Sequence, residues 1–498
     1  MNVVDYLFEN TKDFEKKLIL GRYESISYRD IYKQIIKISD YLKGLKLKND
    51  KIGLISENSV FFIVSYFGIM KSGNIAVPLS TKIEKNELSK IIKLCSIEQF
   101  FIQDKFIELL NSQKLEIIKD TNINDVLAKN DTSIKKHNIS RMPEKTPDDS
   151  IAAIIFTSGS TGTSKGVILS HKNIMSNTDS IIQYLKITKD DIQLVVLPFY
   201  YCFGTSLLHT HIKNGGSLVL NNQFILTQTV IDDLIKYKCT SFSGVPSHYQ
   251  ILLRKSKFKE TNFPDLHYLT QAGGKLENMF IKEIRNSHPE IAFFIMYGQT
   301  EATARLSHLP FEKLDEKLGS IGKGIPNVKL EVLKDGKPVK PGEVGEIVAS
   351  GDNIMKGYFM DPEETQKAIK NGKLYTGDLA VVDEEGYIYI HSREKHIIKS
   401  AGNRVSPKEI ESIICEIPQV VNCAVIGVFD ELLGEVPKAI VVLKKKGLLT
   451  EADIKNYCRK HLQPYKVPKY IQFIDKMPLN SSEKIDLNQL NERYKNAG

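Results

Sequence analysis

The first hundred residues alternate between two hydrophobic patterns. From Ser27, apolar residues recur at helical spacing as far as Leu42, and Gly44 provides a stop. Short apolar runs typical of strands lie at Lys51–Ser56, Asn74–Leu79 and Gln99–Gln103. Helices are expected between these runs, the first of them over the apolar stretch Val60–Met70. This alternation predicts a parallel sheet with helices on both faces.

The alternation resumes at Ile151 and predicts a second α/β layer. Its further strands are expected at Gln193–Leu197, Ser217–Leu220, Ser241–Phe242, Leu266–Thr270 and Ala292–Met296. Ligands of open α/β sheets collect at the carboxyl ends of the strands, so a binding crevice is expected where the following loops meet. The polar segment between Asn111 and Asp149 has weak periodicity and is expected to be a loop-rich connection.

After Pro310, short β runs replace the strand–helix alternation. Asn327–Ser350 contains an Asp-Gly turn and Leu379–His391 has the pattern of a hairpin, which together predict a small β-rich subdomain. The remaining residues mix helical and strand patterns. The predicted fold class is α/β. A large N-terminal domain (residues 1–394) would hold two doubly wound α/β subdomains plus the β-rich subdomain, followed by a small α+β C-terminal domain (residues 395–498).

Composition limits the partners and the location. Of the 498 residues, 42% are hydrophobic and 26% are charged, and the net charge of +8 is spread over interspersed Lys and Glu. This favours a solvated surface over a nucleic-acid interface. The six cysteines form no C-x-x-C pair, which favours a reducing cytosol and a cytoplasmic protein. The amino terminus does not resemble a signal peptide, and Val60–Met70 is too short to cross a bilayer, so no integral membrane segment is expected.

The strongest chemical signal follows the apolar run that ends at Phe156. The next residues are all Gly, Ser, Thr or Lys: Thr157, Ser158, Gly159, Ser160, Thr161, Gly162, Thr163, Ser164 and Lys165. A strand that feeds such a loop surrounds a small volume with backbone N–H groups, hydroxyls and one ammonium, which suits a polyphosphate. The spacing G-x-x-G-x-x-K differs from that of a Walker loop. A flexible linker is the alternative, but linkers seldom follow a buried strand so directly. A helix is expected from His171.

Four further stretches accompany this loop, namely Tyr297–Glu301, Tyr375–Asp378, Arg393–Glu411 and Pro478–Ile485. In this order and spacing, the five stretches resemble the signature motifs of the adenylate-forming, or AMP-binding, superfamily. Its members include acyl-CoA synthetases, firefly luciferase and the adenylation domains of nonribosomal peptide synthetases. The resemblance covers the chain from about Ser27 to Lys484.

The resemblance implies an ATP-dependent, AMP-forming acid–thiol ligase of the acyl-CoA synthetase type. In such enzymes a carboxylate attacks the α-phosphate of ATP and gives an acyl-adenylate and pyrophosphate. A thiol of coenzyme A, or of a carrier-protein phosphopantetheine, then displaces AMP and leaves a thioester. The expected cofactors are therefore ATP, Mg²⁺ and this thiol, and the expected partners are a carboxylic acid with coenzyme A or an acyl carrier protein.

The same resemblance implies residue roles. Thr157–Lys165 would hold the β- and γ-phosphates, Thr300 would contact the α-phosphate, and Glu301 would ligate Mg²⁺. Lys484 would bridge the incoming carboxylate and the α-phosphate and stabilise charge in the transition state. The remaining nucleotide-binding residues would be Gly273, Gly274, Tyr297, Gly298, Gln299, Asp378, Arg393 and Lys399. Among them, Asp378 and Arg393 would bind the ribose, and the two adjacent glycines would line the adenine slot.

The family's small domain swings between an adenylating pose and a thioester-forming pose about one hinge residue, which is Lys395 here. In the first pose Lys484 would enter the site. In the second, the Lys399–Pro407 loop would face it, so that one pocket serves two chemistries.

The acid pocket implied by the resemblance is formed by Tyr200, Tyr201, Ser243, Gly244, Val245 and Gln271. Amino-acid-activating relatives have an Asp at the position of Tyr201, where it pairs with the substrate ammonium, and other members often have His. The absence of this Asp argues against an α-amino acid, and the mixed lining favours a small or medium acid. A second departure is Glu483, which stands before the catalytic lysine where the family usually has Gly. Its carboxylate could reduce the local positive charge or point to solvent.

Two other functions stay open. A stand-alone ligase that loads an acyl or aminoacyl group on a carrier protein would share the same adenylation residues. A non-catalytic family member would bind the nucleotide without ligase activity. The presence of Lys165, Glu301, Asp378 and Lys484 argues against this second alternative.

Overall fold

A computed structural model gives the structure of the protein, and it describes residues 1–21, 24–110, 115–123, 127, 148–157, 164–393, 397–400, 403–430, 434–480 and 482–495. The helices within these residues are α1 (Val3–Phe8), α2 (Tyr28–Gly44), α3 (Val60–Lys71), α4 (Lys85–Cys95), α5 (His171–Leu185), α6 (Cys202–Asn214), α7 (Thr227–Lys236), α8 (Pro246–Lys255), α9 (Asn278–Ser287), α10 (Pro362–Ala368), α11 (Pro407–Cys415), α12 (Glu451–His461) and α13 (Leu487–Tyr494).

The strands within the same residues are β1 (Lys17–Leu20), β2 (Ile26–Ser27), β3 (Lys51–Ile55), β4 (Ile75–Leu79), β5 (Gln99–Ile102), β6 (Glu116–Lys119), β7 (Ile151–Thr157), β8 (Lys165–Ser170), β9 (Ile192–Val195), β10 (Ser217–Leu220), β11 (Ser241–Gly244), β12 (Tyr268–Gln271), β13 (Ala292–Tyr297), β14 (Ser307–Leu309), β15 (Lys323–Gly324), β16 (Val328–Lys334), β17 (Lys337–Pro338), β18 (Gly345–Gly351), β19 (Gly357–Tyr358), β20 (Ile369–Lys370), β21 (Lys373–Val382), β22 (Ile388–Arg393), β23 (Ile398–Ser400), β24 (Asn403–Val405), β25 (Val420–Asp430), β26 (Gly434–Leu443) and β27 (Tyr470–Phe473).

The predicted helix after Ser27 is confirmed as α2. The Ser27 side chain accepts a hydrogen bond from the backbone N–H of Asp30 and so caps the first turn. The apolar positions spaced three and four residues apart are buried, and they pack α2 against α3. The contact is close, because a Cβ on Gly68 of α3 would lie 2.4 Å from the Cγ2 atom of Ile38. The 3.6-residue period therefore gives both the helix and its buried face.

The first sheet holds seven of these strands in the order β19-β8-β7-β4-β3-β5-β6. Its strands β3 to β7 pair in parallel, as the alternation predicted. The prediction that a second layer begins at Ile151 is wrong, because β7 pairs with β4 through Ala153 and Ala76. The connection expected from 111 to 149 is also not all loop, since β6 extends the sheet beside β5. Most of its other residues lie outside the described ranges.

The second sheet has the order β15-β14-β13-β12-β11-β9-β10-β1-β2. Strands β1 and β9 to β13 are parallel, so their carboxyl ends lie along one edge. The loops that follow β9, β11, β12 and β13 are the ones in which the sequence places its unusual residues. The predicted crevice at that edge therefore has its structural basis in a parallel sheet.

Two smaller sheets complete the fold. The β-rich part has the order β17-β16-β18-β21-β20, with β22 paired to β21 as the predicted hairpin. The C-terminal part has the order β24-β23-β26-β25, with β27 beside β26 and α11, α12 and α13 packed nearby. A large α/β N-terminal domain followed by a small C-terminal domain confirms the predicted fold class. The division at residues 394 and 395 stays a prediction.

All six cysteines are free and buried in the described structure. Among the residues with described coordinates, no helix is both long and apolar enough to cross a membrane.

Candidate active site

The Gly/Ser/Thr stretch joins two antiparallel strands. Thr157 at the end of β7 pairs with Lys165 at the start of β8, and residues Ser158, Gly159, Ser160, Thr161, Gly162 and Thr163 lie outside the described residues. The sequence missed β8, although the apolar positions after Gly166 carried a signal for it. The helix expected from His171 is confirmed as α5. β7 and β8 are therefore an antiparallel pair in the first sheet, with β19 on the other side of β8.

Lys165 at the base of this hairpin points toward β19. Its Nζ pairs with the Glu364 carboxylate and lies 5.0 Å from the centre of the Tyr358 ring. This ion pair fixes the position of the ammonium, and the Lys165 side chain is 19% exposed. An anion with several charges can compete for such a half-buried cation.

The turn after β13 depends on a glycine. A Cβ on Gly298 would lie 2.0 Å from the carbonyl oxygen of Ala304, so only glycine lets the two backbone segments meet. Thr300, which follows in the same turn, is buried, and its Oγ1 lies 3.4 Å from Cys202 Sγ. The Glu301 carboxylate accepts a hydrogen bond of 2.8 Å from the hydroxyl of Tyr358. The Tyr297–Glu301 turn thus lies between α6 and β19.

Asp378 lies on the other side of this turn. Tyr297 at the end of β13 donates a hydrogen bond of 2.7 Å to Asp378 Oδ2, which aligns the second sheet with the β-rich hairpin. Arg393 pairs with Asp378 across that hairpin, but its side chain lies outside the described part. The strand-end tyrosine and the buried carboxylate form one wall of the crevice.

Lys484 from the C-terminal domain reaches the carboxyl edge of the second sheet. Its Nζ lies 5.3 Å from the centre of the Tyr201 ring. Its Cε lies beside Gly273, where an added Cβ would come within 3.0 Å of both Lys484 Cε and Val245 Cγ1. Gly273 has φ +88, so a side chain there would be strained as well as crowded. The glycine therefore leaves room for the lysine.

Hydrogen bonds of Asn480 and Ser247 stabilise the turn that carries Lys484. Asn480 Oδ1 accepts hydrogen bonds from the N–H groups of Ser482 and Lys484, and the Asn480 N–H donates to the Lys484 carbonyl. Ser247 at the start of α8 donates a hydrogen bond of 2.8 Å to the carbonyl of Glu483. The described structure therefore has the C-terminal domain in the pose in which Lys484 enters the crevice.

Glu483 does not point freely to solvent. Its carboxylate lies 2.8 Å from Lys82 Nζ, in the loop after β4. Burial lowers the pKa of Lys82, but the hydrogen bond and the charge of Glu483 outweigh it and raise the pKa above its ordinary value. Glu483 has φ +60, in the left-handed region that favours glycine, the residue that the resemblance predicts at this position. The Glu483–Lys82 ion pair joins this turn to the loop after β4.

The predicted acid-pocket residues differ in burial and in their hydrogen-bond partners. Tyr201 is partly buried between Lys484 and the sheet, and burial raises its pKa while the charge of Lys484 lowers it. Tyr200 is also buried. The Ser243 hydroxyl is engaged within the sheet, 2.8 Å from the hydroxyl of Thr270. The other three members are Gly244, Val245 and Gln271, and the Gln271 side chain donates to the carbonyl of Gly274.

Besides residues 158–163 and Arg393, two further predicted residues contribute no described side chain. Lys395 lies outside the described residues, and Lys399 has a described backbone in β23 but no described side chain. Three contacts were not found by sequence reasoning: Tyr358 on Glu301, Cys202 on Thr300, and Lys82 on Glu483. Each joins elements that are far apart in the chain. Thr300, Glu301 and Glu483 lie within the motif stretches, whereas their partners Cys202, Tyr358 and Lys82 do not.

Glu483→Gln is expected to slow acyl-adenylate formation by at most about fivefold. The pair is worth at most about 1 kcal/mol, because the Lys82 side chain is 61% exposed. Pyrophosphate release at low and high salt measures the effect, which should shrink as salt screens the pair.

Lys82→Gln is the matched control for this contact. The double variant should be no slower than either single variant, because both remove the same interaction. Additive losses would mean that Glu483 and Lys82 act separately.

Comparison with known proteins identifies the family. The model for AMP-binding enzymes matches residues 7–359, and the model for the C-terminal domain of AMP-binding enzymes matches residues 409–484. A long-chain-fatty-acid–CoA ligase of Escherichia coli O157:H7 is 30% identical over 505 residues, covering 93% of this chain and 89% of that protein. A 2-succinylbenzoate–CoA ligase of Geobacillus sp. (strain WCH70) is 29% identical over 478 residues, covering 94% and 93%.

A solved structure gives the same answer for the fold. The o-succinylbenzoate coenzyme A synthetase of Bacillus subtilis, in complex with ATP and magnesium ion, superposes with a TM-score of 0.85 at 25% identity. The match covers 98% of this chain and 99% of that one. The chain therefore belongs to the AMP-binding enzyme family and is an AMP-forming acid–thiol ligase of the acyl-CoA ligase type. The predicted family, fold and enzyme class are confirmed, and the roles of individual residues stay predictions.

Proposed function

We propose that this ligase adenylates a carboxylic acid with ATP and then transfers the acyl group to the thiol of coenzyme A. The observation that carries the proposal is the position of Lys484. Its ammonium lies beside Tyr201, whose neighbour Cys202 contacts Thr300. A cation from one domain therefore meets the strand-end turn of the other, where a carboxylate and a phosphate would have to approach each other.

The first half-reaction requires two anions to meet. An oxygen of the carboxylate attacks the α-phosphorus of ATP, the bond from this phosphorus to the bridging oxygen breaks, and pyrophosphate leaves. Lys484 would reduce the repulsion between the two anions and stabilise the charge that develops at the α-phosphate. Thr300 would orient the α-phosphate, and Lys165 would hold the pyrophosphate end. Asp378, which accepts a hydrogen bond from the Tyr297 hydroxyl, would also accept hydrogen bonds from the ribose hydroxyls.

The donor set at Glu301 fits a magnesium ion brought in with ATP. Mg²⁺ prefers oxygen ligands and is commonly held by one or two carboxylates together with phosphates. Tyr358 occupies one carboxylate oxygen of Glu301, Oε1, and orients the group toward the turn. The ion would neutralise phosphate charge when bound. Glu301 would ligate this ion, and the adjacent Thr300 would contact the α-phosphate.

The second half-reaction needs Lys484 to leave. The thiol loses its proton to solvent and its sulfur attacks the acyl carbon, the bond from that carbon to the phosphate oxygen breaks, and AMP leaves with the electron pair of that bond. The contacts of the C-terminal turn are few and polar, with Ser247 and Lys82 as the partners of Glu483. These polar contacts would have to break for the domain to swing about Lys395.

Coenzyme A is the acceptor that the relatives' activities support. The relatives described above are CoA ligases, and they align with nearly the whole of this chain. A phosphopantetheine on a carrier protein presents the same thiol and is the second candidate.

A two-stage assay tests the function. The first stage measures pyrophosphate release with a panel of carboxylic acids, and at least one acid should stimulate it. The second stage adds coenzyme A or a phosphopantetheinylated carrier protein and measures thioester by mass. Thioester on the carrier protein alone would replace coenzyme A as the acceptor. Acid-dependent adenylate without thioester on either thiol would contradict the second half-reaction.

A further inference from the structure

Arg305 is a buried guanidinium whose contacts within the described residues are all neutral. It follows the Tyr297–Glu301 turn and is 2% exposed. Its Nε lies 3.5 Å from Met296 Sδ and its Nη1 lies 3.3 Å from the Ala304 carbonyl oxygen, while its Cζ lies 3.8 Å from the centre of the Phe203 ring. The phenol of Tyr184 is also close enough to share a hydrogen bond with it. All of these groups are neutral, and no carboxylate of the described residues forms an ion pair with Arg305.

Another buried arginine of this protein shows the usual arrangement. Arg254 also lies over an aromatic ring, that of Phe280 at 4.7 Å. Its Nη1 donates to both oxygens of the Glu283 carboxylate, at 2.7 and 2.6 Å, and its side chain is 3% exposed. Buried charges in proteins are usually paired in this way, because an uncompensated one is costly. Arg254 is therefore paired with a carboxylate, whereas the described groups around Arg305 are neutral.

The position of Arg305 places this charge at the acid-binding side of the site. Phe203, which it covers, lies in the first turn of α6, next to Cys202 and close to Tyr201. The Lys484 ammonium lies 5.3 Å from the ring of Tyr201, two residues before Phe203. Two cations therefore contact the start of α6, Arg305 at Phe203 and Lys484 at Tyr201, and Lys484 already has a role in the proposed reaction.

We propose that Arg305 determines specificity by selecting a dicarboxylic acid. One carboxylate of this acid is adenylated, and Arg305 binds the second, remote carboxylate. The inference rests on the proposed function. Lys484 serves the reacting carboxylate, and Arg305 supplies the counter-charge for the other end of the same acid. The guanidinium presents a planar fork of N–H donors that matches a carboxylate, and its recorded hydrogen bonds to protein atoms are long and neutral.

Matched acids separate this role from a structural one. Straight-chain dicarboxylates of four to eight carbons are compared with their monomethyl esters, which keep the length and lose one charge. The kcat/KM for acid-dependent pyrophosphate release is measured for each pair. The wild-type enzyme should favour at least one dicarboxylate over its own ester by roughly tenfold or more, as expected for a charge-assisted hydrogen bond.

Two variants connect the preference to Arg305. Arg305→Met keeps an apolar side chain against Phe203 and removes the charge, so the preference should fall to about one through a higher KM for the dicarboxylate. The ester should be used at least as well as before. Arg305→Lys keeps the charge without the planar fork and should restore part of the preference. Arg254→Met serves as the control for buried-arginine loss, with a lower melting temperature and an unchanged preference.

The outcomes are distinct. Preference for the ester at every chain length, or equal loss for both acids in Arg305→Met, would overturn the inference and leave the ligase function intact. Acid-dependent pyrophosphate release with monocarboxylates alone would do the same. No release with any acid would contradict the proposed function itself, and the inference with it.

Discussion

Lys484→Ala is expected to lower acyl-adenylate formation by about 100-fold or more. Removing one group that stabilises transition-state charge typically costs 10²- to 10³-fold in kcat. The Lys484 ammonium is held at the crevice by the Asn480 turn and by the face of Tyr201, and alanine would leave this space without a cation. Acid-dependent pyrophosphate release measures the loss.

The second half-reaction provides the internal control. When the acyl-adenylate is supplied ready-made, Lys484→Ala should form thioester at close to the wild-type rate, because Lys484 would have left the site by then. Lys476→Ala, an exposed lysine of the same segment, should change neither half-reaction. Equal losses in both half-reactions would contradict the proposed role of Lys484 and point to a general defect of the C-terminal domain.

Glu301→Gln is expected to reduce adenylate formation by roughly 100-fold at ordinary magnesium concentrations. The substitution keeps the shape of the side chain and one oxygen for the Tyr358 hydroxyl, but removes the charge that would hold the ion. The loss should appear as a rise in the magnesium concentration needed for half-maximal rate, with part of the activity recovered at high magnesium. A titration of pyrophosphate release with Mg²⁺ measures both.

Two control variants test whether the effect of Glu301→Gln comes from magnesium binding. Glu312→Gln, which changes an exposed carboxylate soon after the turn, should leave the magnesium titration unchanged. Tyr358→Phe should weaken magnesium dependence only slightly, since the Glu301 carboxylate stays. If Glu301→Gln lost activity without any shift of the titration, the residue would act by holding the turn rather than by binding the ion.

The spacing of apolar residues within short segments was sufficient to predict most helices and strands of this fold. The helix at Tyr28–Gly44 follows from apolar spacing and a serine cap, and both act within a few residues of the chain. The parallel strands of the second sheet follow from short apolar runs between helices. The motif residues could also be found in the sequence, because phosphate binding needs small, flexible and hydroxylated residues side by side.

Sheet membership could not be obtained in the same way. β7 was assigned to the second layer because it comes after the long polar connection, whereas it pairs with β4 in the first sheet. β8 was missed because it lies directly between a glycine-rich loop and a helix. Strand pairing depends on contacts between distant segments, and periodicity within one segment carries no information about the partner.

The sequence by itself determined the family, the enzyme class and most of the helices and strands, since these depend on residue types at short spacings. Only the tertiary structure placed Lys484 against Gly273 and Tyr201, paired Glu483 with Lys82, and left Arg305 buried among neutral groups. Each of these arrangements joins residues from separate elements. Their energies depend on distance and burial, which exist only after the chain has folded.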